Sequence, residues 1–330
     1  MTRPIPRSTF RSCHLYRPTA CRTAAPNNTP RCTRRRIVLC QDHSTDPQIA
    51  VLDSHSASDG LARRGVLFAG IGISVAMLTD LSAGSAQAAN ISTVFVAGAS
   101  GATGRRVVQE LRKRGLKVRA GVRDVEKARS NGLQVDDKVE LVTADVTQGP
   151  ESLLSAIGDA QAIISAIGFN GGADSKGYEA IDNKGNCNLV DAAKQKGISR
   201  FVLMSSLLTN GAAVGQRFNP GYIILNLFGN VLVQKLESEK YLRSSGLQWT
   251  IVRPGGLSNK PAAEVGNLIV GKEDTLFGRP SDPGKDISRD LVAAVLVEAV
   301  LQLSASNKVV EIVSSQNAPQ LPPDQWFSSL

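Results

Sequence analysis

Three glycines at a fixed spacing mark the part of the sequence whose chemistry is most specific. Gly98, Gly101 and Gly104 stand three residues apart, after a short β-branched run and before a stretch with helical spacing. Glycine at these places lets the backbone turn tightly and approach a pyrophosphate group. The first N–H groups of the following helix, together with its dipole, favour the same anion. The pattern therefore predicts a dinucleotide site; the alternative is an ordinary turn between a strand and a helix.

Charged residues near this loop bear on which dinucleotide would bind. The next predicted strand ends without an acid, and Arg123 comes soon after it. An acid at a strand end binds a ribose 2′-hydroxyl, as in NAD, whereas a guanidinium suits a 2′-phosphate, as in NADP. Asp124 lies about 20 residues past Gly104, so its spacing leaves NAD open. With Arg105 and Arg106 beside the loop, the pattern favours NADP over NAD; the alternative is a solvated charged face.

The distribution of histidine and cysteine limits other chemistry. All three histidines and four of the five cysteines precede residue 89. If the first 88 residues are removed, the remaining chain has no Ser-His-Asp catalysis, no histidine metal ligand and no intramolecular disulfide. Its one cysteine, Cys187, lies on an apolar helix face and is expected to be a small core residue rather than a nucleophile.

Apolar runs alternate with amphipathic stretches along residues 89–330. Strands are predicted over 92–97, 117–120, 138–143, 160–167, 200–204, 248–252 and 308–313, and helices over 103–114, 178–196, 221–244 and 288–303. Continuous apolar strands between helices are typical of a parallel sheet covered on both faces. Residues 258–287, rich in glycine, proline and charge, are predicted to form a loop region with small strands. The expected fold class is α/β: a Rossmann-like, doubly wound parallel sheet in a single domain.

One segment, residues 222–232, is apolar on nearly every side of its predicted helix. A helix of that composition is normally buried, so packing within the domain is expected. A pocket wall, a lipid-facing patch and a subunit interface are the alternatives. The segment is too short to cross a bilayer, which takes about 20 residues.

The first 88 residues have the composition of two targeting segments. Nine arginines and no acid precede Asp42, which is typical of a transit peptide, here residues 1–45; the alternative is a basic tail that binds nucleic acid. Residues 46–88 contain Arg63-Arg64, a short apolar run and an A-x-A end, which resemble a twin-arginine thylakoid transfer signal. Together they predict a mature chain of residues 89–330, without a membrane span, in the chloroplast thylakoid lumen. Stroma, plastoglobule and a single uncleaved anchor are the alternatives.

Further motifs occur in order along the chain and carry a family resemblance. They are Arg123-Asp124, Asp145-Val146, Ala166-Ile167-Gly168 and the runs 200–206 and 245–257. With the glycine loop, they make residues 92–313 resemble the atypical short-chain dehydrogenase/reductases of the NmrA-like, NAD(P)-binding group. The resemblance is closest to the chloroplast members of that group, and it implies the same fold and an NAD(P) cofactor.

The resemblance also implies roles for particular residues. Asp145 would hydrogen-bond the adenine amino group, and Ser205 or Ser206 would lie near the nicotinamide. The implied cofactor contacts are Gly98, Ser100, Gly101, Ala102, Thr103, Gly104, Arg123, Asp145, Val146, Ala166, Ile167, Gly168, Lys235, Pro254, Gly255 and Leu257. Ordinary alternatives are a turn cap for Asp145 and a plain turn after a strand for residues 253–256.

The catalytic pair implied by the resemblance is incomplete. Short-chain reductases use Tyr-x-x-x-Lys on one helix, in which the lysine lowers the tyrosine pKa and the tyrosine protonates a carbonyl oxygen. The lysine matches Lys235, but Val231 stands at the tyrosine position. Tyr178, Tyr222 and Tyr241 do not have the required spacing. A substitute acid would be Ser205, Ser206, Tyr222, Lys235 or a carboxylic acid, and the expected catalytic set is Lys235, Ser205 and Ser206.

Two functions from different classes fit these residues. The first is an NADP(H)-dependent oxidoreductase acting on an apolar small molecule, such as an isoprenoid or quinone. The second is a non-catalytic NADP(H) binder that senses the cofactor or assembles with a thylakoid or plastoglobule protein partner; the valine at position 231 favours it. Nucleic-acid binding is not expected, because residues 89–330 carry 27 basic and 24 acidic residues and no recognition motif.

Overall fold

Buried apolar strands form the centre of the computed structural model, which describes residues 91–172, 174–227 and 229–330. The predicted transit peptide, residues 1–45, and thylakoid signal, residues 46–88, lie outside these residues. Both stay predictions, as does the domain boundary at residue 89. The described residues belong to one compact unit, in agreement with the single domain expected.

Eight strands of the described residues form one sheet, and two short strands pair separately. The strands are β1 Thr93–Ala97, β2 Lys117–Val122, β3 Val139–Thr143, β4 Ala162–Ser165, β5 Arg200–Met204, β6 Trp249–Pro254, β7 Gly256–Ser258, β8 Asn267–Gly271, β9 Asp286–Ser288 and β10 Lys308–Ser315. The sheet order is β3-β2-β1-β4-β5-β6-β10-β8, and β8 alone runs antiparallel, to β10. The predicted doubly wound α/β fold is confirmed, with an antiparallel edge strand from the region expected to hold small strands.

Helices connect these strands. They are α1 Ala102–Lys113, α2 Val125–Ser130, α3 Leu154–Ile157, α4 Ser175–Tyr178, α5 Asn186–Gln195, α6 Pro220–Leu227, α7 Val231–Arg243, α8 Ala262–Val265 and α9 Arg289–Leu301. A π-helical segment, Glu179–Gly185, joins α4 to α5. The helix predicted over 178–196 therefore changes its winding near its start. The sequence did not predict α2, α3 or α8, because such short helices show little apolar periodicity.

Alternating side chains along each strand divide the core into two layers. Val94 and Val96 of β1 pack with α1 and α9 on one face of the sheet. Phe95 and Ala97 point to the other face and pack with α3 and α5. All five residues of β1 are buried, as expected of a central parallel strand covered on both sides.

The sheet order reverses at β1. Its neighbours are β2 on one side and β4 on the other, with Ala97 in register with both Gly121 and Ser165. In open α/β sheets such a reversal leaves a crevice at the carboxyl ends of the strands, where ligands bind. The glycine loop directly follows β1 and so lies at this crevice.

The single long helix predicted over residues 221–244 is wrong. Gly229 and Asn230 have φ angles of +142° and +55°, and they separate α6 from α7. The predicted burial of residues 222–232 is also wrong for the part in α6, which has no buried residue. Apolar periodicity identifies a helix, but it does not show whether another element is available to cover it.

Candidate functional site

A cavity of about 380 Å³ opens at the carboxyl ends of β1, β2 and β4. Its walls come from the glycine loop, the end of β2 and the segment after β4. Half of the predicted cofactor contacts line it: Gly98, Ser100, Gly101, Arg123, Val146, Ala166, Ile167 and Gly168. The structure therefore brings together residues that the sequence distributes over several strand ends.

Two glycines of the loop are required by the backbone geometry. Gly98 has a φ of +75°, and a Cβ there would lie 2.9 Å from the carbonyl oxygen of Ala166. A Cβ at Gly104 would collide with the carbonyl oxygen of Gly98. The Gly101 N–H donates to that same oxygen at 3.0 Å and closes the turn. The loop thus presents bare backbone to the cavity.

The N-terminus of α1 has no protein group that caps it through a side chain. Gly101 is the N-cap residue, and the first turn contains no acid. The N–H groups of Ala102, Thr103 and Gly104 precede the first intrahelical bond, which the Arg105 N–H makes to Gly101. Free amides at a helix N-terminus bind anions, so the loop and α1 together fit a pyrophosphate. These three residues form the helical turn behind the loop rather than the cavity wall.

The three arginines that the sequence associates with a 2′-phosphate lie in different places. Arg123 lines the cavity. Arg105 instead donates to the Asn131 carbonyl oxygen at 2.8 Å, and Arg106 pairs with Asp290 at 2.7 Å. Only the first of the three therefore has the position that a contact to a bound nucleotide needs.

Two aspartates near the cavity cap short helical turns. Asp124 accepts the Lys127 N–H at 2.9 Å at the start of α2. Asp145 accepts the Thr147 N–H at 3.0 Å and its hydroxyl at 2.7 Å. Burial acts to raise the pKa of Asp145, but these hydrogen bonds and the charge of Arg123 outweigh it and hold the pKa below its usual value. The turn-cap alternative for Asp145 is therefore present in the structure.

The segment after β4 extends the wall beyond the predicted residues. Phe169, Asn170 and Gly171 also line the cavity. The Phe169 ring packs across Gly171 and Gly177, where any Cβ would collide with it. Its centroid lies 5.0 Å from that of Tyr178, edge to face. The sequence analysis did not identify this aromatic wall. The available signal was a phenylalanine close to a pair of glycines.

Lys235 lies beside this wall and does not line the cavity. Its Nζ is 2.8 Å from Oδ1 of Asp182, whose side chain is only 2% exposed. The other carboxylate oxygen, Oδ2, accepts the Phe169 N–H at 2.9 Å. One buried carboxylate therefore connects the predicted lysine to the cavity wall. Asp182 could not be identified from the sequence, because its partners are far from it along the chain.

Asp182 belongs to the π-helical segment, a winding that is common at functional sites. The Asn186 Nδ2 donates to the Asp182 carbonyl oxygen at 2.9 Å. Asn186 Oδ1 accepts from the Ser165 hydroxyl at 2.6 Å. A buried polar chain therefore runs from the end of β4 to Lys235 and fixes its ammonium group relative to the sheet.

The two serines predicted at the catalytic centre have different surroundings, and neither lines the cavity. Ser205 is buried and donates from Oγ to Glu239 Oε1 at 2.5 Å. Glu239 in turn pairs with Arg253 at 2.7 Å, and both side chains are fully buried. The Ser205 hydroxyl thus serves this ion pair. Ser206 is half-buried at the carboxyl end of β5.

Arg253 is the centre of a buried charge cluster near the end of β6 and the middle of β10. It also contacts Asp274 at 2.8 Å and Glu311 at 3.3 Å. Burial raises the pKa of Glu311, and the N–H donors and the arginine around it reduce this effect. Burial acts to lower the pKa of Arg253, but Glu239 and the other carboxylates outweigh it and raise that pKa. Removing one member of a buried ion pair commonly costs about 3–5 kcal/mol of stability. The cluster therefore has a structural role next to Ser205.

Three predicted contacts at the end of β6 are not brought to the cavity. Pro254 ends β6, and the Gly255 N–H donates to the Ile312 carbonyl oxygen of β10 at 2.9 Å. Leu257 lies in β7, which pairs with β9. These residues stand at the same carboxyl edge of the sheet, directly after Arg253. The predicted site residues thus form two groups, one around the cavity and one around the charge cluster.

The three tyrosines of the described residues lie in different parts of the fold. Tyr241 donates to the carboxylate of Asp191 at 2.8 Å, and this hydrogen bond raises its pKa. Tyr222 packs against a small apolar cluster between α6 and the sheet edge. Tyr178 contacts Phe169 and so lies next to the cavity wall.

Some other chemistry finds no support in the described residues. No group of three or more His, Cys, Asp or Glu side chains in them is placed to hold a metal ion. Cys187 is half-buried, and burial raises the pKa of its thiol to about 11. Among the helices of this part of the chain, none is long and apolar enough for a membrane span.

Known proteins match this chain over most of its described length. Residues 98–302 match a family described as NAD(P)H-binding. An uncharacterised chloroplastic protein of Arabidopsis thaliana is 50% identical over 245 residues, which cover 74% of this chain and 84% of that protein. The chloroplastic protein TIC 62 of Pisum sativum is 36% identical over 261 residues, 72% of this chain. The match spans only 46% of that longer relative.

A solved structure shows the same architecture. The oxidoreductase ylbE of Lactococcus lactis has a TM-score of 0.59 and 22% identity, and the match covers 72% of this chain and 96% of that one. At that identity the likeness shows the fold alone. The relatives, the family match and the cavity at the glycine loop all indicate the same family. The chain belongs to the NAD(P)H-binding, Rossmann-like family of atypical short-chain dehydrogenase/reductases.

Proposed function

We propose that this protein binds NADP(H) in the cavity at the end of β1 and acts as an oxidoreductase on an apolar small molecule in the chloroplast. The cavity carries the proposal, because bare loop backbone and Arg123 line one space of about 380 Å³. The open amides of α1 lie directly behind that loop and favour an anion there. Membership of the NAD(P)H-binding family supports the cofactor class. The chloroplastic relatives support the compartment.

The preference for NADP over NAD rests on Arg123. Arg123 lines the cavity, and a guanidinium fork forms paired hydrogen bonds with a phosphate. Asp124, the acid that would bind a ribose 2′-hydroxyl, has one oxygen engaged by the Lys127 N–H. We therefore expect Arg123 to bind the 2′-phosphate.

The bound cofactor would supply or accept a hydride at its nicotinamide ring. The chain contributes orientation: Asp182 fixes Lys235, and the Phe169 segment forms the wall beside it. Val231, one helical turn before Lys235, has no proton to transfer. The proton would then pass through Ser206, Lys235 or water, because the Ser205 hydroxyl is already donated to Glu239.

The valine at position 231 also favours a second function. A chain with the cofactor cavity but without the usual acid fits a non-catalytic NADP(H) binder, which senses the cofactor or assembles with a thylakoid or plastoglobule protein. For either function, the proposed location in the thylakoid lumen depends on the twin-arginine segment. Stroma and plastoglobule are the alternative locations.

Oxidation of NADPH by the full chain against a panel of quinones and carbonyl compounds separates the two functions. Turnover whose KM for NADPH rises in the Arg123→Ala variant and whose rate falls in the Lys235→Met variant would support the oxidoreductase. Tight NADPH binding without turnover on any member of the panel would support the non-catalytic binder. No binding of NADPH would contradict both.

A further inference from the structure

Helix α6 and the turn before it expose a concentration of large apolar side chains. Ile223, Ile224, Leu225 and Leu227 are between 41% and 68% exposed, and Phe218 is 79% exposed. Seven of the twelve exposed large apolar residues of the described chain lie between positions 214 and 233. Contiguous apolar surface of this kind marks an interaction site. These five residues are called the α6 patch below.

The helix that carries the patch is held firmly from its inner side. Asn226 Oδ1 accepts the Leu232 N–H at 3.0 Å across the break between α6 and α7. Asn219 donates from Nδ2 to the Phe277 carbonyl oxygen at 3.2 Å. Tyr222 packs inward on the apolar cluster that contains Leu232. These contacts hold α6 in place, so the aliphatic side chains on its outer side form an ordered surface.

The charges along this stretch suit a negatively charged surface. No Asp or Glu occurs between Asp191 and Glu237, a run that contains the whole patch. Arg217 adjoins the patch, with its guanidinium carbon 5.5 Å from the centroid of the Phe218 ring. An arginine over an exposed aromatic, next to aliphatic side chains, is a combination that suits the boundary between lipid headgroups and acyl chains.

The loop beside α6 contains a second arginine close to an aromatic ring, although this ring is half-buried. Arg279 lies with its guanidinium carbon 4.8 Å from the centroid of Phe277, the residue whose carbonyl oxygen binds Asn219. Asp282 in the same loop has its Oδ2 occupied by the N–H groups of Phe277 and Arg279. The Asn219 hydrogen bond joins this loop to the residue before α6, so both arginines lie on segments next to the helix.

The patch also adjoins the cofactor cavity. Gly229, just after α6, lies against the ring of Tyr178, since any Cβ there would collide with it. Tyr178 packs on Phe169, which lines the cavity. Only the Tyr178 side chain therefore lies between the end of α6 and the Phe169 wall.

We propose that the α6 patch docks this protein on the surface of a membrane that contains anionic lipid. The aliphatic side chains would enter the headgroup boundary, and Arg217 would bind lipid phosphate. With eight residues, α6 would lie on the membrane rather than cross it, since a span takes about 20 residues. A symmetric dimer through the same patch is disfavoured, because it would bring Arg217 of both copies together without an acid from this run.

Co-sedimentation of the full chain with lipid vesicles tests the proposal. The vesicles are phosphatidylcholine alone and phosphatidylcholine mixed with phosphatidylglycerol. The variant Ile224→Gln/Leu227→Gln removes two patch side chains. The control Leu303→Gln/Leu321→Gln removes two exposed leucines elsewhere, which are 41% and 43% exposed. All four proteins (wild type, these two and Arg217→Gln) keep the basic N-terminal residues, so any binding by those residues is common to all.

The patch variant should bind mixed vesicles about tenfold more weakly than wild type, or weaker still, because two large side chains no longer enter lipid. The control should bind like wild type, and Arg217→Gln should lose affinity for mixed vesicles only. Unchanged NADPH binding in all variants would show that they are folded. Equal vesicle binding by wild type and patch variant would overturn the proposal. A wild-type dimer that the patch variant dissociates, measured by light scattering, would assign the surface to a second copy instead.

Discussion

Arg123 is the residue on which cofactor choice depends in this account. Replacing it with alanine should weaken NADPH binding about tenfold or more, since a hydrogen bond to a charged group is worth about 1.5–3 kcal/mol. NADH, which has no 2′-phosphate, should lose little. Fluorescence titration with both nucleotides measures the ratio. Arg105→Ala is the matched control, because that guanidinium binds the Asn131 carbonyl oxygen instead; equal losses for both nucleotides in Arg123→Ala would remove the proposed role.

The pairing of Asp182 with Lys235 makes a second prediction for single residues. Asp182→Ala leaves a largely buried ammonium without its partner and should lower the free energy of unfolding by about 3 kcal/mol. Asp182→Asn should cost less, because its amide oxygen still accepts the Phe169 N–H. Urea unfolding gives both values. Glu237→Gln, which breaks the exposed pair with Lys240, is the control and should cost less than about 1 kcal/mol.

Cys187 gives a prediction that depends on pH. Burial, with a contribution from Asp191, raises the pKa of its thiol to about 11 from an ordinary value near 9. At pH 8 the folded protein should therefore hold about a hundredfold less thiolate there than the unfolded chain, and alkylation should be slower by a similar factor. The rate should climb about tenfold per pH unit until pH approaches 11. Peptide-resolved mass spectrometry after iodoacetamide measures it, and equal labelling of folded and unfolded protein at pH 8 would contradict the burial.

At the scale of elements, the contact between α1 and the glycine loop is the critical junction. Gly→Ala within a helix usually stabilises a protein by about 0.5–1 kcal/mol. Gly104→Ala should do the opposite and abolish nucleotide binding, because the new methyl group would collide with the Gly98 carbonyl oxygen. Gly168→Ala is the control for stability, since its Cβ would make only an ordinary 3.7 Å contact with Asp182. A Gly104→Ala protein that unfolds at the wild-type urea concentration would contradict this packing.

Site residues can be predicted from the sequence when the elements that position them are adjacent in the chain, and not when only the fold brings those elements together. Gly98 and Gly104 could be assigned in advance because the strand, the turn and the helix that need them are adjacent in the chain. The link from Lys235 through Asp182 to the Phe169 wall could not, because the fold alone brings those three segments together. The exposure of α6 was missed for a related reason: a sequence shows which side chains are apolar, but not which elements remain to cover them.

For the whole molecule, the order of strands and helices was largely predictable because each β–α unit carries its own pattern. Residues 98–302 match the NAD(P)H-binding family, which agrees with the sheet order and with the position of the cavity. The antiparallel edge strand β8 was less visible, since it lies in a stretch rich in glycine, proline and charge. The targeting segments stay predictions from composition alone.

Calorimetric titration of the purified protein with NADPH and with NADH is the measurement that bears most directly on this account. We expect one nucleotide to bind per chain, NADPH more tightly than NADH, and no binding of either by the Gly104→Ala variant. If the wild-type protein bound neither nucleotide, the cavity at the end of β1 would not be a cofactor site, and the proposed function would fail.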